Sequence, residues 1–240
     1  MAAAIQLRIS RRARYLRIDV SAHRGVVVVV PEGTPRAVVQ RFVMGRRRWI
    51  RDARERVARR AEERAATGPA LPARLELEAL GETYPVVMAA DGRRGVRCSG
   101  GQLRVSGAAD PAAGRAALVR WLKARGRETL VPWLARHARE HGLRYRRTMV
   151  RGQRTRWGSC SGRGTISLNY KLLFLPPQLV DHVLLHELAH TRHLNHSARF
   201  WRLLAELDPN WRAHHAALAR AERWLPYWLE LADAEASAGR

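Results

Sequence analysis

Apolar and polar residues alternate through Ile5-Gln-Leu-Arg-Ile and Tyr15-Leu-Arg-Ile-Asp-Val, and Gly25-Val-Val-Val-Val-Val-Pro31 is apolar throughout. Period-two alternation and a short β-branched run both predict strands, here a small antiparallel sheet with His23-Arg-Gly turning between the last two. Thr34-Pro35 then opens a helix carrying Val38, Val39, Phe42, Val43, Trp49 and Ile50, expected to run to about Ala66. Gly68-Pro-Ala-Leu-Pro reads as a linker. Four short strands follow, Leu75-Glu-Leu, Tyr84-Pro-Val-Val-Met, Gly95-Val-Arg-Cys and Gln102-Leu-Arg-Val-Ser, again expected to pair antiparallel. From Asp110-Pro111 to Gly142 the spacing becomes helical, with Leu118, Leu122, Leu130 and Leu134 on one face. Thr148-Met-Val-Arg and Gly164-Thr-Ile-Ser-Leu-Asn read as strands, with a hairpin expected between Trp157 and Tyr170. The class is therefore α+β. The expected division is a β-rich part over 1–110 with one basic helix, a helical core over 111–232, and a polar tail over 233–240.

Pro176-Pro177 starts the helix with the most chemistry. In Asp181-His-Val-Leu-Leu-His-Glu-Leu-Ala-His190 the apolar residues Val183, Leu184 and Leu188 mark a mostly buried helix. His186 and His190 stand one turn apart on one face, the spacing with which two imidazoles share a zinc ion. Glu187 follows the first histidine, where a carboxylate reaches a water at the metal without ligating it, as a general base must. A third ligand has to come from beyond a chain reversal, because His193 on a continued helix would sit about 10.5 Å along the axis from His186. Asn195 is the expected site of the reversal, as a left-handed terminator or as the cap of the next helix, and His196 then faces the pair. His182, one turn before His186, competes for the metal but has no glutamate after it, and is read as a core or supporting residue. His193 is read as exposed or facing substrate, and His214 and His215 as surface or packing residues.

Composition narrows the setting. The 240 residues include Cys98 and Cys160 as the only cysteines, too few and too far apart for a disulfide framework or a thiolate zinc site, which points to a reducing cytoplasm. Charge interrupts the N-terminus before any signal-like apolar stretch, and Val26 to Val30 is too short to span a bilayer, so no membrane role is expected. The formal net charge of +23, nearly all arginine, allows a nucleotide or nucleic-acid partner. In the helix after Thr34, however, Asp52, Glu55, Glu62 and Glu63 interleave with the arginines, which favours a solvated face.

Four motifs in order, Arg156-Trp-Gly-Ser-Cys-Ser, Ile166-Ser-Leu-Asn, His186-Glu-Leu-Ala-His190 and Asn195-His-Ser-Ala-Arg-Phe-Trp201, resemble those of the YgjP-like metallopeptidase family, over about residues 10–230. The resemblance implies a minimal zincin-like helical core, Zn2+ on His186, His190 and His196, and Glu187 as the catalytic residue. It is also similar to SprT-like zinc proteases, some of which act on DNA-bound proteins. The ligand spacing equals that of metzincins, but His193 stands where those have glycine and no Met-turn follows, so that clan is not assigned. Candidate substrate contacts are Arg154, Arg156, Trp157, Asn169 and His193; two readings of the hairpin stay open, an exposed strand edge that takes an extended peptide and a packing role for Trp157 and Cys160 beneath the helix. Three functions remain open: a peptidase, a UTP-type nucleotide pyrophosphatase using the same metal and the arginines, and a protease recruited to nucleic acid.

Overall fold

The computed structural model describes residues 5–11, 13–21, 25–67, 71–90, 93–153 and 156–238. It divides into two compact units, Met1–Gly68 and Pro69–Arg240.

In the first unit, β1 (Gln6–Ser10), β2 (Arg17–Ser21) and β3 (Gly25–Pro31) form a sheet in the order β1-β3-β2. β3 pairs antiparallel with β2 but parallel with β1, so the expected all-antiparallel sheet is mixed. The valine run explains the central place of β3, since Val26 to Val30 are all buried. The turn expected at His23-Arg-Gly falls largely on residues outside those described. The single expected helix is two, α1 (Arg36–Met44) and α2 (Arg47–Thr67). They part where Gly45, a weak helix former, meets Arg46, whose N–H bonds to the Val43 carbonyl at 3.0 Å in a tightened turn.

The second unit contains β4 (Arg74–Leu77), β5 (Glu82–Ala89), β6 (Gly95–Ser99) and β7 (Gln102–Ser106) in the order β4-β5-β7-β6. β5 and β7 run parallel, which corrects the antiparallel expectation. β7 carries the fully buried Leu103 and Val105 and takes the inner place, while β6, exposed from Arg97 to Ser99, takes the edge. α3 (Pro111–Glu140) follows, with Asp110 accepting from the Ala113 N–H at 2.8 Å and Pro111 in its first turn. Leu118, Leu122, Leu130 and Leu134 on this helix share one hydrophobic core with Leu75, Leu77, Leu103 and Val105. That shared core moves the expected boundary near residue 110 back to 68/69, because β4 to β7 bury their apolar face in the same core as α3.

Next come β8 (Arg147–Arg151), β9 (Gly158–Cys160) and β10 (Thr165–Asn169), in the order β8-β10-β9. β9 and β10 form the expected hairpin, with Gly158 opposite Leu168, and β9 lies at the sheet edge. Ile166 and Leu168 of β10 enter the main core, as do Val180, Leu184 and Leu188 of α4 (Pro177–Ala189). α5 (Ala198–Leu207) and α6 (Trp211–Leu218) follow. Residues 233–238 of the expected polar tail belong instead to α7 (Tyr227–Ala238), and the last two lie outside the described residues. Trp228, Leu229 and Ala232 on it are buried, and Asp233 meets Lys171 Nζ at 2.6 Å. Among the described residues no helix is long and apolar enough to cross a membrane.

Candidate metal centre

α4 is buried on most of its surface, so its polar residues stand out by contrast. His186 and His190 project from one face with ring centroids 4.8 Å apart. The helix ends at Ala189, and the chain returns through residues 191–197 to α5. Asn195 is neither a left-handed terminator nor the cap, since no described non-glycine residue has positive φ and Ser197 holds the N-cap position. The reversal is built instead from bonds back to the helix end, His193 N–H to the Ala189 carbonyl at 3.0 Å and Arg192 N–H to the same carbonyl at 3.1 Å.

The reversal brings His196 to the pair. Its Nε2 stands 3.1 Å from Nε2 of His186, and its ring centroid is 4.7 Å from that of His190. Each of the three histidines offers one nitrogen within 4.8 Å of the others. Two nitrogens on one tetrahedral zinc, each about 2.0–2.1 Å from it, stand about 3.3 Å apart, so the spacing fits such an ion. Phe200, fully buried, packs against all three rings at centroid distances of 4.9, 4.5 and 4.7 Å and limits how they can tilt. His190 Nδ1 lies 3.0 Å from the His193 carbonyl, which can only accept, so Nδ1 carries the hydrogen and Nε2 keeps its lone pair. The contribution of His193 here is its carbonyl, and its half-buried side chain has no role that the structure identifies.

Burial pulls the His186 pKa down to about 3, helped by the neighbouring His190 and His196, and burial lowers that of His190 as well. Both rings are thus held in the neutral form that ligates metals. Glu187 is 5% exposed and its Oε2 has no hydrogen-bond partner. Burial pushes its carboxyl up to about 8 against the opposing pull of the exposed Arg156 guanidinium. Such an unmet buried carboxylate is costly unless something bound at the site uses it. Gly158 on β9 makes room for it: a Cβ there would stand 2.6 Å from Glu187 Oε1.

The other candidates divide. Trp157 lines a cavity of about 300 Å³ together with Gly158, His186 and Glu187. Asn169, expected as a substrate contact, is a buried strut: its Nδ2 donates to the carbonyls of Gln153 and Arg156, both at 2.8 Å, and its Oδ1 accepts from the Lys171 N–H at 3.2 Å. Arg154 lies outside the described residues. Sequence reasoning missed the parts played by Gly158, Phe200 and Asp208. Gly158 and Phe200 each left a trace, as members of the motifs that begin at Arg156 and Asn195, and Asp208 left none.

Three convergent imidazoles beside a buried carboxylate form a donor set of the kind that metal-dependent hydrolases use. The chain belongs to the YgjP-like family, whose metallopeptidase domain matches residues 14–221. It is thus a member of a metallopeptidase family, with the hydrolytic, metal-requiring character that membership carries. Among solved structures it is similar to the metallopeptidase zymogen of Pyrococcus abyssi abylysin, at 26% identity over 36% of this chain and 87% of that one, with a TM-score of 0.33. No curated protein matches it.

Proposed function

We propose that the protein is a zinc-dependent peptidase in which His186, His190 and His196 hold the ion and Glu187 is the general base. The observation that carries this reading is the buried, partnerless Glu187 Oε2 beside three imidazoles whose nitrogens converge. Imidazole nitrogens suit zinc, although cobalt, nickel or manganese fit the same donors. Zinc held there supplies Lewis acidity toward the scissile carbonyl. A cation held beside Glu187 would favour its ionised form, in which it takes the proton of the attacking water and returns it to the departing amine. The edge strand β9 offers backbone groups to an extended peptide, and Gly158 keeps that edge close to the carboxylate. A cytoplasmic setting suits the two free cysteines.

The test is to purify the protein and Glu187→Gln with metal content measured, then offer each casein and UTP. Peptide release that requires both zinc and Glu187, with UTP intact, is the expected result. Glu187-dependent release of phosphate or pyrophosphate from UTP, with casein intact, would replace the peptidase with the pyrophosphatase.

A further inference from the structure

The cavity beside this centre has polar residues that the hydrolytic reading leaves unused. It holds about 300 Å³, the lower end for ligand pockets, which suits one side chain. Trp157, Val183, Leu218 and Ala219 give it apolar walls, and His182 and His215 also line it.

His182 is 1% exposed. Its Nδ1 lies 2.6 Å from Asp208 Oδ2, and Asp208 also meets His214 Nδ1 at 2.9 Å and the Asn210 N–H at 3.1 Å. A carboxylate only accepts, so the His182 hydrogen sits on Nδ1 and the lone pair is left on Nε2. That Nε2 is buried and has no partner. The cavity therefore joins apolar walls to a histidine whose free nitrogen is an unmet acceptor, and a donor brought by a ligand would satisfy it.

Gly158 and Glu187 line the same cavity, so a peptide lying along β9 with its scissile bond at Glu187 has a neighbouring side chain over it. We propose that His182, oriented by Asp208, selects for this cavity a side chain with an apolar body and a hydrogen-bond donor at its tip, of the tyrosine type, next to the scissile bond. The selection rests on the peptidase reading. Phenylalanine fills the walls but leaves Nε2 unmet, and a side chain ending in a carboxylate meets it with lone pairs.

The experiment uses two peptide sets that differ only in the residue on one side or the other of the cleaved bond, carrying Tyr, Phe or Ala. In one set the zinc-loaded protein should cleave the Tyr peptide with a kcat/KM about tenfold above the Phe peptide, the effect of one hydrogen bond. Glu187→Gln should bind the two with the same order in calorimetry. His182→Phe should bring the ratio to about one. Leu218→Trp, which fills the cavity from its apolar wall, should lower the Tyr rate more than the Ala rate and decides the matter if His182→Phe does not fold. Equal Tyr and Phe rates in both sets, a ratio that survives His182→Phe, or an unchanged Tyr-to-Ala ratio in Leu218→Trp overturns the proposal. Cleavage of all three peptides alike leaves the peptidase standing and removes only the selection, whereas a metal-loaded protein that cleaves no peptide removes both.

Discussion

Replacing Gly158 with alanine adds one methyl group at the point where β9 meets Glu187, the proposed base. The new Cβ would stand 2.6 Å from Oε1, 2.7 Å from Cγ and 2.8 Å from Cδ of Glu187. Carbon atoms rest about 3.5–4.0 Å apart, so carboxylate and strand must separate by about 1 Å. Glu187 has little room to swing away because it is 5% exposed on a helix packed into the core. If the carboxylate retreats, the proposed proton acceptor is displaced. If β9 retreats, the edge that would hold substrate moves instead. Either displacement costs on the order of 100-fold in kcat/KM, the usual price of a 1 Å error in a reacting geometry. Stability should fall less, because overpacking of about 1–3 kcal/mol is partly offset by the stiffer unfolded chain, worth about 0.4–1 kcal/mol. Peptide cleavage and thermal unfolding measured on the same metal-loaded sample separate the two effects. Gly162→Ala is the control, since a Cβ there meets only Leu194 Cδ1 at 3.6 Å. Should Gly158→Ala keep activity within about threefold of the parent at equal metal content, the close approach is not what positions the base.

Phe200→Ala should lower stability by about 3–5 kcal/mol in denaturant titration and speed zinc loss to a chelator, because it empties the space under three rings. Asn169→Ala leaves the Gln153 and Arg156 carbonyls without their donor and should cost about 1–3 kcal/mol, read by the same titration. Asp181 gives a pH dependence: burial opposes its ionisation, but bonds from His137 and Trp133 prevail and hold its pKa below the ordinary carboxylate value. Its stabilising effect is therefore present above the unfolded pKa of about 3.9 and is lost as pH falls through the folded value. Asp181→Ala should lower the melting temperature at pH 7 and close that gap in acid, and a gap independent of pH would refute the assignment.

The helices were the most legible part of the fold, because a leucine face such as Leu118, Leu122, Leu130 and Leu134 repeats at a period that only a helix satisfies. Strand existence was also readable, but strand direction was not. Alternation says which face of Gln102–Ser106 is buried and nothing about which neighbour it meets, so the parallel pairing of β5 with β7 had no local signal. The polar tail was misread for a related reason: Asp233 and Glu235 are polar by composition, yet Lys171 and Arg115, distant in sequence, draw them into contact. At the site, the histidine spacing brought out the residues that converge, while Asp208 was silent and Gly158 stood in a motif that did not disclose its part. A glycine's lack of a side chain matters only through what approaches it, and Asp208 acts across 26 residues of chain.

α4 carries His182 and His186, and His190 caps its C-terminal end, each one turn from the next, so the sequence offers two equivalent pairs. Helical geometry cannot choose between them, and a glutamate after His186 is a hint about chemistry rather than a constraint on position. What separates them is contact from outside the helix. Asp208, at the end of α5, takes the Nδ1 hydrogen of His182 and holds that ring to itself. The reversal after Ala189 sets the His193 carbonyl against His190 and delivers His196 to His186. Phe200, one helical turn beyond His196, closes the set from beneath. Three chemically identical side chains on one face are thus divided between a cluster of converging nitrogens and a buried acceptor lining the neighbouring cavity. A substitution at Phe200 or Asp208 therefore alters these environments without touching a histidine.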